Sequence, residues 1–492
     1  MWGFGGPRGA GLRLPARRGK RVAVIVAVLL LAAVAGIGAG LGVTVLTSRL
    51  AAARAAAAIV PPPAPVALHP RLRPAAVDGP VPTQAGVSAV LDPLVAAGGL
   101  GSLSGQVLDP VSGAVLWQRT PSRALVPGST AKLLTASAAL LVLDHQARLH
   151  TTMLAGAEPG TVVLRGGGDP TLSAAGQGTA TGYPGAARLD DLVSQVRAAA
   201  RGPISRVLVD VSRFTGDALA PGWLTADVAA GYIAPIEPVM LDGGREDPTQ
   251  EDSPRAAKPA AAAAAVLARR LGADPDTVTV GSAPPGAAVL GEVSSPMVQD
   301  LVATALQRSD NVLAEALARE VARQTGGEPS FSGAAQAVLD VLRRHGFDPG
   351  GATLVDGSGL STSDAVPATL LTTLLGAAAA PLEPIEAGAV APRVAVSPQR
   401  PTTALRPLLV GLPVAGGSGT LADRYHGASA AGRGWVRAKT GTLTGVNSLA
   451  GTVLDAEGRV LVFALLSNGP NPLAVRPRLD ALAAGLRSCG CH

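Results

Sequence analysis

Residues 22–46 form an unbroken run of 25 residues without a charged side chain. As a helix rising ~1.5 Å per residue, the run exceeds the ~30 Å hydrocarbon thickness of a bilayer. Six cationic residues (Arg8, Arg13, Arg17, Arg18, Lys20 and Arg21) precede it, Arg49 follows it, and residues 1–49 hold no acid. The one-sided flank predicts a basic cytoplasmic tail (1–21), a transmembrane helix (22–46) and an extracytoplasmic remainder. A cleaved signal peptide is the competing reading and would make the protein secreted, but such signals carry apolar cores of only ~7–15 residues. Whatever the chain folds into must be built from the residues that follow.

Residues 47–86 read as a linker: an Ala-rich stretch leads into Pro61, Pro62, Pro63, Pro65, Pro70, Pro74, Pro80 and Pro82. Proline removes backbone donors and favours an extended spacer. Beyond residue 49 the chain carries 34 basic and 35 acidic groups, so the overall charge of +6 belongs to the N-terminal tail. The folded part therefore offers no cationic face, and with aromatics at 2% it has few rings for stacking bases; no nucleic-acid partner is expected. Cys489 and Cys491 sit in a short tail (488–492). One intervening residue makes an unstrained disulfide difficult, and two thiols with His492 leave a four-ligand metal site unfilled. The role of the two cysteines stays open, and no metal is expected.

Strands are expected at 102–108 and 113–118 around an Asp-Pro-Val-Ser-Gly turn, and again at 435–440, 443–454 and 460–467. Helices are expected at 87–97, 130–143, 297–308, 311–324, 332–345 and 477–486, the last with Pro477 as its first residue. Residues 150–290 differ, with short β-type runs between Gly-, Pro- and Asp-rich loops and helices at 187–200 and within 254–272. The fold class is α+β, an antiparallel sheet flanked by helices. The expected segments are 87–149 and 291–487 for the main domain and 150–290 for a smaller inserted one.

Lysine is the informative residue. Only Lys20, Lys132, Lys258 and Lys439 occur among 41 basic residues. Arginine cannot act as a base, whereas a desolvated lysine can. Lys132 lies three residues after Ser129. A helix starting at Ser129 puts both on one face, with the Ser129 amide at a helix N-terminus suited to an oxyanion; a plain Ser cap beside a solvated Lys is the simpler reading. Ser309-Asp310-Asn311 falls between two helices, as a cap or as two polar side chains turned into a cleft. Lys439-Thr440-Gly441-Thr442 ends a strand, and Gly441 removes a side chain where a ligand can approach the backbone.

The order S-x-x-K, S-x-N, K-T-G is the trio of penicillin-binding proteins and β-lactamases. The long interval between the first two elements contains Gly-Gly-Gly-Asp-Pro-Thr-Leu-Ser (166–173), Asp-Val-Ser-Arg-Phe (210–214), Pro-Gly-Trp (221–223) and Leu-Asp-Gly (241–243). Asp-Gly-Ser-Gly-Leu-Ser (356–361) follows. On these motifs residues 88–487 resemble the D-alanyl-D-alanine carboxypeptidase/endopeptidase family, the class C low-molecular-mass penicillin-binding proteins. The insertion is short for that family, and the anchor and linker lie outside its pattern. The resemblance implies a penicillin-binding fold and hydrolysis of peptidoglycan stem peptides through an acyl-enzyme that β-lactams trap, without a cofactor. It implies Ser129 as nucleophile, Lys132 as base and Ser309 as proton relay. The amides of Ser129 and Thr442 would hold the oxyanion. Asn311, Lys439, Thr440, Gly441 and Thr442 would bind substrate, with Lys439 helping burial to lower the Lys132 pKa. A β-lactamase or esterase shares the trio, and a silent cell-wall-binding module would retain it; turnover of penicillin and release of D-alanine separate the three.

Overall fold

The segment Val460–Asn468 is apolar at seven successive positions, too many for a strand with one wet face. Leu461, Phe463 and Leu465 enter one core, and Val462, Ala464 and Leu466 enter another. This period-two division makes the strand the middle of a layered structure. The computed structural model describes residues 79–381 and 402–491. The expected tail, membrane segment and nearly all of the linker lie outside these residues. No helix among the described residues is long and apolar enough to cross a membrane.

In chain order the strands are β1 (Ser102–Leu108), β2 (Val115–Arg119), β3 (Arg148–Ala155), β4 (Thr161–Arg165) and β5 (Arg206–Asp210). Then follow β6 (Thr279–Val280), β7 (Val289–Met297), β8 (Val436–Leu443), β9 (Val446–Leu454) and β10 (Val460–Asn468). The main sheet has the order β2-β1-β10-β9-β8 and is antiparallel throughout. Helices Gln84–Ala96 and Pro472–Arg487 cover one face through Val87, Leu91, Leu479 and Leu482. Helices Lys132–Val142, Val298–Gln307, Asn311–Gln324, Phe331–Arg344 and Ala368–Ala379 build the larger core on the other.

The second sheet, β6-β5-β4-β3-β7, is mixed: β4, β5 and β6 run parallel, whereas β3 pairs antiparallel with β4 and β7. Helices Leu189–Ala199 and Pro259–Leu271 cover one face with Leu192, Val196, Ala264 and Leu267. A small fourth cluster joins Phe214, Trp223 and Ile236 of the inserted segment to Val312 and Phe331. Val312 directly follows Asn311, so the insert packs at the foot of the cleft.

Two local expectations are corrected, and the two cysteines gain a role. The first helix starts at Gln84, inside the stretch read as linker, because the Thr83 side chain accepts from Gly86 N and caps it. The last helix starts at Pro472, where the Asn471 side chain accepts from Leu473 N; Pro477 lies inside it and forgoes one helical hydrogen bond. Cys489 and Cys491 form a disulfide, with their Cα atoms 4.9 Å apart, within the usual range for a bridge. The Cys491 carbonyl accepts from Thr83 N at 2.6 Å, so the tail clasps the start of the first helix.

Candidate active site

Ser129 does not open an α-helix. It sits in a 3₁₀ turn, Gly128–Ala131, and Lys132 is the first α-helical residue. A 3₁₀ turn has three residues per repeat and eclipses side chains i and i+3. The result is a 3.0 Å contact from Lys132 Nζ to Ser129 Oγ. Lys132 is fully buried and Ser129 half-buried. The amine also donates to Asn311 Oδ1 at 2.5 Å and to the Ser358 carbonyl at 2.8 Å. A neutral amine has two hydrogens and one lone pair. With both hydrogens taken by Asn311 and Ser358, the lone pair faces the Ser129 proton.

Burial is the main cause that brings the Lys132 pKa down, to about 8; the carboxylates of Asp356, Glu315, Asp310 and Asp364 oppose it. Lys439, on β8, is also fully buried, and burial and then the charge of Lys132 hold it well below the usual lysine value. Burial thus has the leading part that sequence reasoning shared between burial and Lys439. Lys439 Nζ donates to Ser309 Oγ at 2.9 Å and to the Thr440 carbonyl at 2.7 Å.

The Ser-Asp-Asn triplet serves both readings given to it. Asp310 is the cap of helix Asn311–Gln324, its Oδ1 accepting from Leu313 N. Its neighbours face the two lysines: Ser309 meets Lys439, and Asn311 meets Lys132 while donating through Nδ2 to the Tyr232 carbonyl at 2.9 Å. Ser309 has φ +58°, a left-handed conformation that a non-glycine residue adopts at a cost. Burial raises the Asp310 pKa, but the guanidinium charges of Arg245 and Arg255 outweigh it and the carboxyl lies below its usual range. Arg245 and Asp310 are both nearly inaccessible, and such a pair is costly to break from one side, ~3–5 kcal/mol.

β8 is the edge strand of the main sheet, and its Thr440–Thr442 end borders the 3₁₀ turn. Gly441 also has a packing role. A Cβ there would overlap Ser448 Oγ and the Pro127 carbonyl and come within 3.1 Å of Ser129 N. The close approach of the turn carrying Ser129 by itself requires a glycine here. Thr442 is exposed, and Thr440 Oγ1 lies 2.8 Å from Thr420 Oγ1. A cavity of about 700 Å³ opens beside Thr420, lined also by Arg308 and Arg245. No group of His, Cys, Asp or Glu that could hold a metal occurs among the described residues.

Thus the structure brings Ser129, Lys132 and Asn311 into one hydrogen-bonded group and Ser309, Lys439 and Thr440 into a second, with Gly441 packed against the Ser129 turn and Thr442 exposed beside it. Sequence reasoning missed the Ser358 carbonyl, Thr420 and the carboxyl groups beneath the loop at 356–361. There Glu315 Oε1 and Oε2 each lie 3.0 Å from Gly357 N. Burial first, and then the charge of Asp356, pushes Glu315 up to about 8 and Asp364 up to about 9. The Asp-Gly-Ser-Gly-Leu-Ser stretch was the available signal, but a backbone carbonyl has no signature of its own.

The main sheet and its flanking helices agree with comparisons to known proteins. The chain is 46% identical over 480 residues to a carboxypeptidase DacB of Mycolicibacterium smegmatis, covering 96% of this chain and 98% of the relative. It is 47% identical to a carboxypeptidase of Mycobacterium tuberculosis, over 88% of this chain and 90% of that one. Penicillin binding protein 4 of Haemophilus influenzae superposes with a TM-score of 0.62 at 20% identity, over 82% of this chain and 98% of that one, which shows the shared fold. A second structure of that protein, complexed with a β-lactam, gives a TM-score of 0.57 at 21% identity, over 80% of this chain and 98% of that one. The family model for D-Ala-D-Ala carboxypeptidase 3 matches residues 87–254 and 248–488. With the match spanning nearly the whole described body, the chain belongs to the D-Ala-D-Ala carboxypeptidase 3 (S13) family.

Proposed function

We propose that this protein is a serine-type D-alanyl-D-alanine carboxypeptidase that cleaves peptidoglycan stem peptides through an ester on Ser129. The observation that carries the reading is the buried Lys132 amine, 3.0 Å from Ser129 Oγ, with its two other contacts made to acceptors. Neutral Lys132 takes the Ser129 proton as Oγ attacks the carbonyl between two D-alanines. The amides of Ser129 and Thr442 receive the oxyanion. The C–N bond then breaks, and the proton taken by Lys132 passes by way of Ser309, bonded to Lys439, to the departing amine. Water attacks the ester; Lys132, neutral again, takes a proton from it and returns that proton to Ser129 Oγ, which leaves both groups as they began. Lys439, Thr440 and Thr442 hold the terminal carboxylate, and Asn311 the substrate amide. A β-lactam carries the same acyl and carboxylate groups and stalls as the ester.

The cavity beside Thr420, whose hydroxyl meets Thr440 of the proposed carboxylate-binding strand, is far larger than one alanine needs. This supports endopeptidase cleavage of cross-linked peptides in the same cleft. The test is to incubate the protein with penicillin, digest it and locate the adduct by mass. An adduct on the peptide holding Ser129, together with D-alanine release from a stem pentapeptide, is expected; an adduct on another peptide would refute the assignment.

The same reading places the enzyme outside the cytoplasmic membrane, tethered by residues 22–46. The cationic flank before them and the proline-rich spacer after them support this topology. On alkaline carbonate extraction the protein is expected in the membrane pellet; recovery in the supernatant would instead mean a cleaved, secreted form.

A further inference from the structure

Two buried hydrogen-bond chains run from the inserted segment into the catalytic centre. The first starts at Tyr183, which is inaccessible to solvent. Its hydroxyl donates to Asp310 Oδ2 at 2.7 Å and accepts from Arg245 Nη1 at 2.9 Å. Arg245 Nη2 reaches the same carboxylate oxygen at 3.3 Å. Asp310 lies between Ser309 and Asn311, so fixing its carboxylate fixes the turn that aims both. The left-handed Ser309 needs such outside support to persist. The Leu-Asp-Gly motif gains a reason here: a Cβ on Gly243 would overlap the Tyr183 hydroxyl.

The second chain starts at Trp223 of the Pro-Gly-Trp motif. Its ring is buried, edge-on to Phe331 at 5.0 Å, and its Nε1 donates to Asp356 Oδ2 at 2.8 Å. The Asp356 carboxylate also accepts from the amides of Ser358, Gly359 and Ser361, which winds the loop around it. That loop turns the Ser358 carbonyl onto Lys132. Gly359 seats it against the Gly128 carbonyl, where a Cβ would overlap.

We propose that the inserted segment positions the acyl-transfer centre, with Tyr183 orienting Ser309 and Asn311 through Asp310 and Trp223 orienting Lys132 through the Asp356 loop. Both are positioning residues, since neither reaches the cleft chemistry directly. The proposal rests on Ser129 and Lys132 being the nucleophile and the base. It assigns the insert a part in the reaction rate, beyond any part in gripping substrate.

The test uses Tyr183→Phe and Trp223→Phe, each followed by penicillin titration of active sites and by acylation rates across pH. Each variant is expected to bind about one penicillin per chain, as the wild type does, yet to acylate ~10-fold or more slowly, because small misplacements of reacting groups cost rate. Tyr183→Phe is expected to leave the acid limb of the rate profile in place. Trp223→Phe is expected to move it to higher pH, since a loosened loop admits water to Lys132. The groups facing that amine (Asp356, Glu315, Asp310, Asp364 and Lys439) are unchanged in both variants. Fewer titratable sites with an unchanged rate for the remainder would mean mere support of the fold and would overturn the proposal. Wild-type rates in both variants would overturn it too. A wild-type chain that takes up no penicillin overturns the acyl-transfer reading, and this proposal with it.

Discussion

Ser129→Ala is expected to abolish the penicillin adduct and to lower D-alanine release by on the order of 10⁴-fold or more. Removing the nucleophile leaves only the oxyanion donors and the carboxylate grip, which bind but cannot form the ester. The fold should hardly notice: the half-buried Ser129 hydroxyl has one side-chain contact, to Lys132, and its loss leaves a gap of a single oxygen. The melting temperature should therefore stay within ~3 °C of wild type. Mass spectrometry of the penicillin-treated variant, with a thermal melt alongside, reads both quantities. A covalent adduct that persists would end the assignment of Ser129.

Lys132→Ala should cost ~10²–10⁴-fold in acylation, the span that general-base catalysis supplies. It carries a stability penalty as well, since the Asn311 Oδ1 and Ser358 carbonyl contacts lose a buried donor, at about 1–3 kcal/mol. In the wild type the amine must be neutral to act. With its pKa lowered to about 8, the acylation rate should rise as pH increases toward and through 8, then level. The stability sign is separate. The unfolded lysine keeps its ordinary value of 10.5, so unfolding takes up a proton between about 8 and 10.5, and this group makes the fold more stable as pH rises across that window. Lys132→Arg keeps a cation that cannot deprotonate, so its activity should be as low as that of the alanine variant. Acylation rates from pH 6 to 10 decide the point. An alanine variant that keeps both the rate and the limb near 8 would remove Lys132 from the base role.

The trio was legible because its residues are rare where they matter: in a chain that uses arginine for nearly every cation, a lysine at 132 and another at 439 stand out. The antiparallel main sheet was legible too, from the hairpin turn at 109–113 and from the strand-like runs near the end of the chain. What escaped was set by packing across long distances in sequence. Nothing in the local pattern at 129 distinguishes a 3₁₀ turn from an α-helical start; the close approach of Gly441 marks how tightly β8 packs on that turn. Tyr183 and Arg245 looked like ordinary loop residues, and Trp223 stood in a motif without a role of its own, because their partners, Asp310 and Asp356, lie more than sixty positions away. The disulfide looked difficult on spacing alone, although the Cα atoms of Cys489 and Cys491 lie 4.9 Å apart.

The bond between Thr83 and Cys491 makes the point where the chain enters the folded body the point where it leaves. Loosening either end would therefore free both helices that cover one face of the main sheet, the face opposite helix Lys132–Val142.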